Sequence, residues 1–200
     1  VSNVLELPLL VPETTDAMGA HRHLRLLSRI LVGLFTLFVL IQVLWILAAA
    51  VVTIFFSDHV LVESSGAFVF SGKPPVWPGA VLYSTQSPMT HAAGMIDIVL
   101  AVLPVLLAFW NLRGLFALYA RGIIFARENT TRLKWVGLWL LVYPFAKVAA
   151  NMIFRAAGGT DKAWFHMELI YALVAGLIVF AIAQVMEFGH QIEEEKDSFI

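Results

Sequence analysis

"ILVGLFTLFVLIQVLWILAAAVVTIFF", Ile30 to Phe56, carries no ionisable side chain, and only Thr36, Gln42 and Thr53 interrupt it with polar groups. An α-helix advances about 1.5 Å per residue, so about 20 apolar residues cross the ~30 Å hydrocarbon core of a bilayer. This run is long enough to cross with tilt. Within lipid no water pairs with the backbone, and a helix is the form in which one segment satisfies its own N–H and C=O groups. The stretch therefore decides the class: an integral membrane protein, to be read span by span.

Composition agrees. Of 200 residues, 60% are hydrophobic and 14% charged, with a mean hydropathy of +0.84. The net charge of -1 gives no general basic character for direct nucleic-acid binding. The lack of cysteine removes disulfides, thiolate metal sites and thiol nucleophiles.

Three further runs qualify as spans. Ala92 to Tyr119 holds Asp97, Asn111 and Arg113, and Pro104, which removes a backbone hydrogen bond, predicts a kink. Trp135 to Ala157 holds Lys147, Asn151 and Arg155, and Ala163 to Phe188 opens with His166 and Glu168. The expected fold is an all-α membrane protein of four transmembrane helices. Residues 57–91 form a small strand-and-turn loop outside, 120–134 a cytoplasmic corner, and 189–200 an acidic cytoplasmic tail. In the loop, "HVLVES", "GAFVFSG" and "AVLYST" are β-prone runs separated by Gly and Pro turns, and Trp77 and Tyr83 suit the membrane interface. "AAGGTDK" reads as a tight turn, with Gly158 or Gly159 stopping one helix and Thr160 capping the next.

Lys and Arg flanking spans stay inside. Arg22, Arg25 and Arg29 precede the first span, Lys73 alone occupies the 57–91 loop, and Arg113, Arg121, Arg127, Arg132 and Lys134 surround the second connection. Both termini and that connection are expected in the cytoplasm. Residues 1–29 form the cytoplasmic N-terminal segment, whose basic patch leads into the span without a small-residue cleavage site, the pattern of a retained anchor. "HRHLRLLSRI" separates Leu24, Leu27 and Leu31 from its arginines and suits an amphipathic surface helix.

The second connection, "LYARGIIFARENTTRLKW" from Leu118 to Trp135, specifies more than an anchor. Gly122 stands where a helix stops, and a new helix is expected near Arg127, with Glu128 and Asn129 in its first turn beside the positive end of the dipole. Arg121, Gly122, Ile124, Phe125, Glu128, Asn129, Arg132, Leu133 and Gly137 resemble the signature of the DUF2975 family of bacterial four-span membrane proteins. The tail, with Glu187, Gly189, Glu193, Glu194, Asp197 and Ile200, resembles that family's ending. Ala126 departs from the pattern, standing where the family has the Ser or Thr that caps the next helix.

The resemblance implies the bacterial inner membrane. It also implies a gene neighbour, a small Xre-type helix-turn-helix regulator, as cytoplasmic partner. Arg121, Gly122, Phe125, Glu128, Asn129, Arg132, Glu193 and Glu194 are then the candidate docking residues.

Ionisable residues within spans are costly and mark a site by default. Tyr143, Lys147, Asn151 and Arg155 recur every four residues along one stripe of the third helix. Asn151 lies near the depth of Asp97 and Glu168, and Lys147 sits deeper with a stem long enough to snorkel outward. These six residues are the candidate for a structural ion-pair network in the outer half of a helix bundle, or for a ligand-binding pocket there that takes a small hydrophobic molecule. His59, His91 and His166 fall on the outer side without metal-ligand spacing, and no catalytic or phosphate-binding motif occurs, so neither cofactor nor enzymatic activity is expected. Two functions are weighed: a membrane sensor that binds a cytoplasmic regulator, and an oligomeric transporter or channel using Asp97, Lys147 and Glu168 as a relay.

Overall fold

A computed structural model describes residues 15–62, 68–70, 81–123, 126–159 and 167–197. Four helices dominate: α1 (Thr15–Phe55), α2 (Pro88–Ala120), α3 (Arg127–Ala156) and α4 (Met167–Asp197). Each contains a stretch long and apolar enough to cross a membrane: His23–Phe55, Pro88–Ala120, Arg127–Ala156 and Met167–Gly189. The chain is an all-α, multi-pass membrane protein. Trp77, Thr160 and His166 lie outside the described residues.

"HRHLRLLSRI" is not a separate surface element, because α1 runs through it unbroken into the span. No glycine or proline interrupts it, and Leu and Arg are good helix formers. The buried Ser28 hydroxyl donates back to the Leu24 carbonyl at 2.8 Å, so the helix absorbs its own polar group. Helix α2 starts before the expected Ala92 because Ser87 and Pro88 start it. The Ser87 Oγ accepts from the Thr90 N–H at 3.2 Å, and Pro88 occupies the first turn, where its missing N–H costs nothing. Pro104 lies inside α2 without ending it, as Pro144 does in α3.

Contacts between successive helices advance in opposite directions, which fixes an up-and-down order. On α1 and α2, Arg25 lies over Gly122, Thr36 accepts from Arg113 Nε at 2.9 Å, and Thr53 reaches Met95. Phe35, Phe38, Phe109 and Phe116 stack midway, with ring centroids 5.3 to 5.8 Å apart. On α2 and α3 the matching series is Gly114 under Arg132, Asp97 with Lys147, and Thr90 donating to the Ala157 carbonyl. On α3 and α4, Lys134 pairs with Glu187, and Gly137 meets the backbone of Phe180.

Helix α1 packs along α2, α2 along α3 and α3 along α4; among the described residues no other pair of helices packs along its length. The expected bundle is therefore an open row. The small residues that permit close approach lie on the α3–α4 seam, at Gly137 and Gly176. Side chains such as Leu44, Ile54, Val185 and Phe188 on the edge helices are exposed, as lipid-facing residues are.

One end of the row carries a three-stranded antiparallel sheet of β1 (Val60–Val62), β2 (Phe68–Phe70) and β3 (Val81–Leu82), ordered β2-β1-β3. Register sets Leu61 opposite Val69 and Leu82. Central β1 is wholly buried, and Val60 and Val62 pack with Tyr83, Ala93 of α2 and Phe154 of α3. The valines and Phe154 contribute roughly 1.5 to 3 kcal/mol each on full burial. Tyr83, in a one-turn 3-10 helix after β3, locks the sheet to α2. Its hydroxyl donates to the His91 carbonyl at 2.9 Å, its own carbonyl lies 2.6 Å from His91 Nε2, and the two rings stack at 4.3 Å. Burial pushes the Tyr83 phenol up to about 12.

Candidate functional site

The i, i+4 spacing of Tyr143, Lys147, Asn151 and Arg155 becomes a real stripe because α3 is helical throughout, and all four are half-buried. Lys147 meets Asp97 of α2, with Nζ 3.4 Å from Oδ1 and 3.5 Å from Oδ2. Asn151 follows one turn toward the sheet end. Arg155 occupies the last turn of α3, where positive charge complements the negative end of the helix dipole. Glu168 stands exposed in the first turn of α4. The six residues thus lie in the sheet-bearing half of the row, where Asp97 pairs with Lys147.

At the opposite end the corner is built from helix-ending bonds. Arg121 ends α2, and Gly122 takes φ +85, a left-handed conformation that a Cβ disfavours. Gly122 N–H donates to Tyr119 O at 2.9 Å and Ile123 N–H to Leu118 O at 3.0 Å, the paired bonds of a Schellman stop. Gly158 repeats the device after α3, with φ +92 and matching bonds from Gly158 and Gly159.

Helix α3 then begins at Arg127. Ala126 supplies no side-chain cap, but Glu128 stands in the first turn, and the fully buried Asn129 donates from Nδ2 to Ile123 O at 2.9 Å. Asn129 thereby ties the new helix to the old one's end.

The other docking candidates divide by surroundings. Arg132 pairs with Glu128 one turn away at 2.8 Å and lies over Gly114. Arg121 and Arg127 are exposed, and the exposed Arg25 of α1 lies over Gly122. Phe125 lies outside the described residues, and Glu193 and Glu194 are on the last turns of α4 with side chains outside the described ones.

Two features escaped sequence reasoning. Lys134 on α3 pairs with Glu187 on α4, so part of the basic corner is neutralised within the chain. A cavity of about 210 Å³ opens beneath the sheet, walled by Trp45, Ala48, Ala49, Val52 and Thr53 of α1, Ile98 of α2, and Val60 and Val69 of the sheet. The run Ala48 to Ala50 in a span of large side chains was its one available signal, and such a run equally suits close helix packing. Among the described residues no group of three or more His, Asp or Glu is placed to hold a metal ion, and His91 is engaged with Tyr83.

Four antiparallel spans, a sheet across one end and a basic corner at the other define a multi-pass membrane protein. The chain belongs to the DUF2975 family, described as a protein of unknown function, whose pattern it matches over residues 71–200. No curated protein and no solved structure matches it.

Proposed function

We propose that this chain is a non-enzymatic regulator of the bacterial inner membrane, with its corner and both termini in the cytoplasm, holding a small helix-turn-helix regulator at that face. The observation that carries this reading is the corner's geometry. Arg121 and Arg127 are exposed on either side of a turn held by two backbone bonds and by the buried Asn129. Arg25 and Arg29 of α1 are also exposed at the same end. Cationic groups on a rigid frame suit recognition of an acidic surface and lose little order on binding. Their concentration at this end also supports its cytoplasmic placement. The helix-turn-helix identity of the partner rests on the family resemblance alone.

The transporter alternative is weaker, because Lys147 and Asp97 satisfy one another within the row. Co-purification of the full chain with the regulator encoded beside its gene tests the proposal. Arg121→Glu, or removal of the last ten residues, is expected to abolish capture, and unchanged capture by both variants overturns it.

A further inference from the structure

We infer that the cavity beneath the sheet is a binding site for a hydrocarbon chain. Its position argues first. Trp45 to Thr53 and Ile98 belong to the apolar spans of α1 and α2, so at ~1.5 Å per residue the α1 wall lies about 3 to 15 Å below the helix end at Phe55. Val60 of β1 and Val69 of β2 roof it, and Trp45 and Ala48 are exposed at its mouth. The opening therefore faces lipid, while the buried Thr53 and Ile98 close its inner side.

Size and chemistry argue next. Ala48 and Ala49 replace the large side chains found elsewhere on α1 and leave about 210 Å³ open. An engineered apolar cavity of about 150 Å³ stays dry and accepts benzene, so this one has room for a longer hydrocarbon. Thr53 is the single hydroxyl in the wall. Its proton goes to the Ala49 carbonyl at 2.8 Å, so it offers the cavity no donor. Beyond the Trp45 indole N–H at the mouth and the Thr53 oxygen, the lining side chains carry no polar group, so a ligand with several amides or hydroxyls would leave most of them unpaired and be disfavoured by that cost. An alkyl chain carries no such cost, whether it is an acyl tail of a bilayer lipid or part of a free small molecule.

The site contains none of the corner residues, so it stands or falls separately from the regulatory reading; hydrocarbon uptake without regulator capture leaves it intact. The full chain in nanodiscs is irradiated with one of two probes, and the adducts are mapped by mass spectrometry. One is a phosphatidylcholine with a diazirine in the upper half of an acyl chain, and the other a free short alkyl diazirine in plain lipid.

Adducts on Trp45 to Thr53 and Ile98 are expected at about tenfold the level at Val185, an exposed α4 position that reports ordinary boundary lipid. Ala49→Phe fills the cavity and brings them down to that level, as does the milder Ala48→Leu at the mouth, whereas Leu44→Phe on the exposed face leaves them unchanged. Labelling by the phospholipid probe assigns the site to a lipid tail, and labelling by the free probe alone assigns it to a small apolar molecule. Adducts at the Val185 level with both probes, or adducts that survive both cavity-filling variants, overturn the inference.

Discussion

Asp97 and Lys147 offer the sharpest test of how the spans are held in rotation. With Nζ 3.4 Å from Oδ1 and side chains 21% and 13% exposed for Lys147 and Asp97, the pair is mostly removed from water. At an effective dielectric near 20, opposite charges at this separation attract by about 5 kcal/mol, and desolvation returns a large part of that. Lys147→Met leaves a carboxylate facing a thioether, and Asp97→Asn leaves an ammonium facing an amide. Each single change is expected to cost about 2 to 4 kcal/mol, while the double variant stays within about 1 kcal/mol of the parent, giving a coupling of about 3 kcal/mol or more. Unfolding of the four proteins in mixed dodecyl maltoside and dodecyl sulfate micelles, followed by circular dichroism, measures the cycle. Costs that simply add, with coupling below about 0.5 kcal/mol, refute the view that this pair sets the rotation of α2 against α3.

The α3–α4 seam gives a second test. A Cβ on Gly137 would lie 2.9 Å from the Phe180 backbone nitrogen, whereas one on Gly33 meets nothing within 4 Å. Gly137→Ala is expected to destabilise by about 1 to 3 kcal/mol and Gly33→Ala to be neutral or slightly stabilising in the same micelle assay. At the corner, Asn129→Ala removes the bond to Ile123 O and should cost about 1 to 3 kcal/mol, with hydrogen exchange rising first at residues 118–131. The Tyr83 phenol has an ordinary value of 10.0 and is raised to about 12 by burial. The unfolded chain therefore loses that proton first, and the associated stability, complete below pH 10.0, is lost as pH rises toward about 12. Ultraviolet titration should show a late tyrosine absorbance change whose amplitude falls by one phenol in Tyr83→Phe.

The spans were legible because the physics is local: length and the absence of charge suffice. Gly122 was legible for the same reason, since a helix stop before a polar helix start calls for a left-handed residue. Depth alone matched Asp97 with Asn151, and the observed partner is Lys147, one turn deeper, whose long stem covers the difference. Asn129 was harder. Its sequence surroundings suit an exposed first-turn residue, and only the return of α3 beneath the end of α2 encloses it and brings the Ile123 carbonyl to its amide. The cavity was illegible because its roof, Val60 and Val69, comes from strands beyond the end of α1, and their path back over that helix is a tertiary matter. The open row escaped too, since apolar residues encircle these helices and do not say which face meets protein and which meets lipid.

That row has a consequence for biosynthesis. Each helix packs along the one made just before it, so α1 and α2 can close as a hairpin while α3 is still within the ribosome, and α4 joins the row without any earlier contact having to reopen. Contacts of short sequence separation carry a small loop-closure cost. Assembly in the membrane can thus keep pace with translation, adding one helix at a time to a growing edge.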